Sequence, residues 1–162
     1  MKKNIFLIIC LILLSMYCHA AADEKIETKP LVVDVGYVTD AHIYMGCGCA
    51  YYFSDKDKEE REKIIFKSNF EDTAWMHLNG KDVKLKRIEE SESEGSIKKG
   101  RRSYEIYQYG DMTIKFDYLL TWTCESDAPN DDSCEIWYYD INITFTQKGQ
   151  HKTVKAKGEC GC

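Results

Sequence analysis

The stretch DMTIKFDYLLTWTC, residues 111–124, decides the fold class. Taken two residues at a time, it places Met112, Ile114, Phe116, Tyr118, Leu120, Trp122 and Cys124 on one face. Thr113, Lys115, Asp117, Thr121 and Thr123 fall on the other. A period of two is the repeat of an extended chain with one face in a core, and no helical spacing competes with it. The segment is predicted as a long, half-buried β-strand.

Turn chemistry extends the reading to its neighbours. AWMHLNGKDVKL, residues 74–85, contains Asn79-Gly80, the dipeptide favoured in two-residue hairpin loops. That loop sets Leu78 opposite Lys81, Met76 opposite Val83 and Ala74 opposite Leu85. Lys148-Gly149 likewise sets Ile143 opposite Val154 and Ile141 opposite Ala156. Around Gly110 a three-residue loop is expected, pairing Ile106 with Ile114 and Tyr104 with Phe116. In CEIWYYDINITF, residues 134–145, Ile136 and Tyr138 share the face of Cys134, then the apolar set shifts to Trp137, Tyr139, Ile141, Ile143 and Phe145. Such a change of parity calls for a β-bulge near Tyr138-Tyr139, or for cover on both faces.

Two charged connectors interrupt the strands. SDKDKEEREK (54–63) fits a short helical turn near residues 55–63, and EESESEGSIKKGRR (89–102) reads as a polar loop. With about eight or nine strands, the expected fold is all-β: a small antiparallel barrel or sandwich.

The start of the chain is of another kind. Lys2 and Lys3 precede an apolar run from Ile5 to Leu14, followed by small residues around Ala20–Ala22. That is the layout of a secretory signal peptide over residues 1–20, cleaved between 20 and 22. The run is too short to span a bilayer, so the mature protein, 21–162, is predicted as a single secreted or periplasmic β domain, not membrane-spanning. Cleavage removes two lysines and no acids, taking the formal charge from −5 to −7. With 44% hydrophobic and 30% charged residues the chain is globular, and its length suffices for one sizeable core. Its acidity argues against nucleic acid as a partner, because phosphates repel it.

Six of the eight cysteines lie beyond the signal segment: Cys47, Cys49, Cys124, Cys134, Cys160 and Cys162. An even number in an exported chain reads as three disulfides. Cys124 and Cys134 flank a short polar loop and are expected to close it. The other four form two Cys-Gly-Cys triplets, 47–49 and 160–162. Residues two apart in a strand lie nearly 7 Å apart, too far for a bridge within one triplet. On adjacent antiparallel strands, opposed residues lie about 4.5–5.5 Å apart, within reach. The triplets therefore read as a clasp joining the first part of the fold to its last strand. Antiparallel pairing joins Cys47 to Cys162 and Cys49 to Cys160; parallel pairing exchanges the partners. A four-thiolate copper or zinc site, or a redox pair, is the rival use of the same sulfurs.

Little else in the sequence carries chemistry. His42, His77 and His151 are scattered, and no nucleophile elbow, metalloprotease helix or phosphate loop occurs. No enzyme activity, metal or cofactor is expected. Loop 125–135, rich in Asp and Glu, reads as a solvated hairpin tip without the EF-hand spacing. KKGRR, Lys98–Arg102, is the one dense basic cluster, read as an exposed patch. Aromatic residues exceed what one core face accommodates, so Trp75, Tyr51, Tyr52 and Trp137 are the candidate binding surface. In charge, export and architecture the chain resembles small periplasmic lysozyme inhibitors. The Ser-Gly-x-x-Tyr motif of one such family is not matched; the nearest stretch is KGRRSY, Lys99–Tyr104, and no inhibitory residue is carried over. The function expected is an exported, non-enzymatic binding or inhibitory module with a protein or glycan partner. The alternative is a metal-handling or thiol-redox protein built on the two triplets.

Overall fold

A computed structural model describes residues 30–40, 43, 46–54, 63–91, 98–123 and 136–162. The signal segment, the acidic loop 125–135, Cys124, Cys134 and all but Lys63 of the expected helical turn lie outside them. Nine strands follow one another: β1 (Val35–Gly36), β2 (Gly48–Phe53), β3 (Phe66–Ser68), β4 (Thr73–Leu78), β5 (Lys81–Glu90), β6 (Arg102–Tyr109), β7 (Met112–Thr123), β8 (Ile136–Gln147) and β9 (Gln150–Gly161). All pairings are antiparallel, in the order β4-β3-β2-β9-β8-β7-β6-β5, and β5 returns to β4. The result is a closed eight-stranded barrel with β1 as an extra strand on β4, and the described residues include no α-helix.

Alternation along the strands fills the interior. Met112, Ile114, Phe116, Tyr118 and Leu120 of β7 face inward, and Ile141, Ile143 and Phe145 of β8 meet them. At mid-height Tyr51 stacks on Phe66 with ring centroids 4.6 Å apart, and Phe116 lies 4.6 Å from Phe66 on another side. Each such ring moved out of water contributes about 1.5–3 kcal/mol.

The Asn79-Gly80 and Lys148-Gly149 hairpins have the expected registers. All four turn residues have positive φ, between 49° and 80°, as a type I′ turn requires. The third hairpin differs. Its loop is the pair Gly110-Asp111, with Gly110 at φ 59° in the first position, and it pairs Tyr109 with Met112, Tyr107 with Ile114 and Glu105 with Phe116. Ile106 and Tyr104 were expected inside; a slip of one residue exchanges the faces and brings in Tyr107 and Glu105 instead.

The parity change expected within β8 is also absent. That strand pairs regularly with β9 over its whole length, Trp137 and Tyr139 inward, Ile136 and Tyr138 outward. The irregularity lies across from it, in β7 between Leu120 and Trp122. This bulge turns Trp122 outward, where it is 49% exposed and meets Tyr138 edge-on at 5.4 Å. A second bulge, between Arg87 and Glu89, leaves Ile88 exposed.

The barrel's two ends are built differently. At one, three tight turns converge and the segment 31–40 crosses the opening, burying Leu31, Val33 and Val38. Asn79 N donates to Asp34 O at 2.8 Å and Val38 N to Ile64 O at 2.8 Å. Asp82 Oδ2 accepts from Thr39 N, Thr39 Oγ1 and Asp40 N at 2.8–2.9 Å, while His77 Nδ1 meets its other oxygen at 2.7 Å. Burial acts against the Asp82 carboxylate, but these bonds prevail and bring its pKa down to about 2. The opposite end carries the cysteine clasp.

Candidate functional site

The clasp forms because β2 and β9 run antiparallel with Cys49 opposite Cys160 and Gly48 opposite Gly161. Disulfides join Cys47 to Cys162 and Cys49 to Cys160, with Cα separations of 4.4 and 4.0 Å. The first lies exposed on the rim and the second is buried just inside. Such bonds are consistent with an oxidising environment, extracellular or periplasmic. The glycines serve packing rather than the bridges alone. A Cβ on Gly48 would stand 1.8 Å from Ser68 O, and one on Gly158 would stand 2.2 Å from the Tyr51 ring.

Below the rim the interior is not filled. A cavity of about 260 Å³ is walled by Phe70, Trp137 and Tyr139, with the Cys49–Cys160 bridge, Tyr51, Tyr118 and Leu120 completing its lining. Ser91, Arg101, Ser103, Glu90 and Glu105 supply its polar groups. Small eight-stranded barrels either fill with side chains or leave room inside; here side chains fill one part and a cavity remains in the other.

The deep wall is a connected polar array. Glu105 Oε1 accepts from Arg87 Nη1 at 3.0 Å. Its Oε2 accepts from the Tyr118 hydroxyl at 2.6 Å and the Tyr107 hydroxyl at 3.2 Å. Tyr51 donates in turn to the Tyr118 oxygen at 3.3 Å, and its hydroxyl stands 3.7 Å from Cys160 Sγ. Arg87 is also paired with Asp72 at 3.0 Å and Glu90 at 2.9 Å. Among the described residues no buried side-chain nitrogen or oxygen lacks a partner. A carboxylate held partly out of water is tolerated when so compensated.

Electrostatics fix the protonation states. Burial pushes the Tyr51, Tyr107 and Tyr118 phenols up, and the Glu105 charge pushes them further, so all three are neutral donors. Burial alone would lower Arg87, but its bonds to Asp72 and Glu105 raise it, so it stays charged. Tyr139 is pushed up by burial, with Arg101 pulling it down and Glu105 adding to the rise. The array is thus a static frame of one carboxylate, one guanidinium and three phenols. Among the described residues, no three His, Cys, Asp or Glu side chains gather where they could hold a metal ion.

The four aromatics expected to share one binding surface do not. Tyr51 is 1% exposed and belongs to the core, because it shares the inward face of Cys49. Tyr52, its neighbour, lies half-buried on the outer wall, paired with Lys157. Trp75 is also on the outer wall, half-buried, with Lys84 Nζ 5.7 Å from its ring centroid. Trp137 reaches the cavity, because it pairs with Cys160, and Tyr51 lines it from the core. Of the basic cluster, Arg101 lines the cavity while Arg102 is exposed. His77 is engaged with Asp82 at the far end, and His151 is exposed.

Glu105, Phe70 and Arg101 escaped the sequence reading as cavity residues. A two-residue Gly110-Asp111 loop would have revealed Glu105, by putting a carboxylate opposite Phe116 on an otherwise apolar face. Phe70 gives no such signal: it is 49% exposed at φ 65°, a left-handed conformation rare for a bulky side chain. None of the described helical content is long and apolar enough to cross a membrane. The chain matches no protein-family model, and no curated protein or solved structure matches it either.

Proposed function

We propose that the protein is an exported, non-enzymatic binding module of the secreted or periplasmic space, and that its binding face is the clasped mouth of the barrel. One observation carries this reading: an aromatic-walled cavity is kept open above a fully bonded polar floor, at the end fixed by two disulfides. Rigid aromatics on a pre-organised frame bind at low entropic cost, and a protein side chain or a sugar ring suits such walls. The frame offers neutral phenols and a carboxylate committed to Arg87, which supports binding rather than acid–base chemistry. Metal handling by the triplets requires free thiolates, and here the four sulfurs are bonded in pairs; thiol exchange, the other rival, would instead work through the exposed Cys47–Cys162 bridge.

The test is a screen of immobilised glycans and peptides with the wild type, Trp137→Ala and Trp75→Ala. Ligands of the wild type should lose roughly tenfold or more in affinity with Trp137→Ala, as central aromatic anchors do, and keep it with Trp75→Ala. Ligands held equally by all three proteins, or the absence of any ligand, would remove the mouth from consideration.

A further inference from the structure

We propose that the cavity takes a small organic anion, a carboxylate on an apolar body, with Arg101 as the partner of its charge. The inference rests on the mouth being a binding site and names what enters it.

The argument begins with hydrogen-bonding capacity. Glu105 and Glu90 are both engaged by Arg87, and the second oxygen of Glu105 takes two phenols. The Ser91 hydroxyl oxygen accepts from Tyr104 N at 3.0 Å, and the Tyr104 hydroxyl donates to Glu89 at 2.8 Å. What remains is one guanidinium, which can only donate, and two hydroxyls, which can donate or accept. The Arg101 guanidinium and the Ser103 and Tyr139 hydroxyls line the cavity without a hydrogen bond or ion pair among the described residues. The guanidinium calls for an acceptor, and it matches a carboxylate through two parallel N–H···O bonds.

The charges agree. Of the three carboxylates on Arg87, only Glu105 is sheltered, at 22% exposed; Glu90 and Asp72 are 57% and 77% exposed and solvated. All three engage Arg87, and the guanidinium left without a close partner is Arg101. Its backbone is held in place: Arg101 N donates to Lys98 O at 3.0 Å, and Arg101 O accepts from Leu120 N at 2.9 Å. Its charge is felt at Tyr139, across the cavity wall. Phe70, Trp137, Leu120 and the buried disulfide supply the apolar surface for the rest of the ligand.

Three probes sharing one body test this by calorimetry: 3-phenylpropionate, 3-phenylpropanol and 3-phenylpropylammonium. The carboxylate should bind roughly tenfold or more tightly than the alcohol, and Arg101→Gln should abolish that advantage. Arg101→Lys should restore part of it, and Arg102→Gln, altering the exposed neighbour, should leave it within about twofold. Equal binding of acid and alcohol, an unchanged Arg101→Gln, or no binding of the acid overturns the proposal. Tightest binding of the ammonium does so too, and assigns the head group to Glu90 and Glu105. If alcohol or ammonium binds and is lost with Trp137→Ala, the anion falls while the mouth stands. If none of the three binds and the glycan and peptide screen is also empty, both fall.

Discussion

The two ends of the barrel solve opposite problems with the same strands. At the turn end the segment 31–40 crosses the opening and buries Val33, and Leu78, Val83 and Met112 lie in the core with no more than 6% exposure each. At the clasped end the alternation continues, but the inward positions change to Glu105, Tyr118, Tyr139, Trp137 and the Cys49–Cys160 bridge, and a cavity remains. An unfilled mouth forfeits packing, and covalent bonds stand where side-chain contacts would otherwise hold the strands. The difference teaches that stability is concentrated at one end and retained at the other by cross-links, leaving the mouth's surface free for other work.

The largest expected effect tests whether the clasp replaces packing. Converting all four cysteines Cys47, Cys49, Cys160 and Cys162 to Ser should cost about 4–5 kcal/mol in guanidinium unfolding, since each bridge closes a loop of more than a hundred residues. Removing the rim pair Cys47 and Cys162 alone should cost less than about 1 kcal/mol, because the inner bridge already closes that loop. A rim-pair loss of about half the four-cysteine loss would mean that the bridges act separately and the clasp is not one device.

Acid probes the other end. Asp82 has a depressed pKa in the fold, so its contribution is present above about pH 4, where the unfolded carboxylate is ionised, and fades as pH falls through 2. After allowance for screening at this partly solvated site, wild type should exceed Asp82→Asn by about 1–2 kcal/mol at pH 6 and by little at pH 2. A difference that persists at pH 2 would mean that Asp82 acts through packing rather than charge.

The smallest effect concerns strain at the mouth. Phe70→Gly relieves a left-handed φ at a solvent-exposed site and should raise stability by about 0.5–1 kcal/mol while weakening whatever the cavity binds. Lower stability would show that the ring's packing outweighs the backbone cost, and the contrast between the ends would then narrow.

Much of the wall could be read from the sequence, because period-two alternation and two Xaa-Gly turns specify register locally. The clasp was readable for the same reason: with antiparallel strands, two triplets of equal spacing align in one way. What escaped was a matter of single residues. Three residues or two in the Gly110 loop differ by nothing that composition reveals, yet the choice decides whether Tyr104 or Glu105 enters the barrel. The bulge that ejects Trp122 from the face of Leu120 lies in a strand whose pattern looked unbroken. The cavity itself depends on distances across the barrel, which no local pattern encodes.

The closed ladder has a consequence for how a partner can be recognised. Each of β2 to β9 has a hydrogen-bonded neighbour on both sides, and β1 is two residues long. Among the described residues none of β2 to β9 leaves a whole edge open, so strand addition, the usual route by which a sheet captures extended chains, has little purchase here. Recognition must fall to side chains. It would then be selective for chemistry rather than tolerant of any extended backbone.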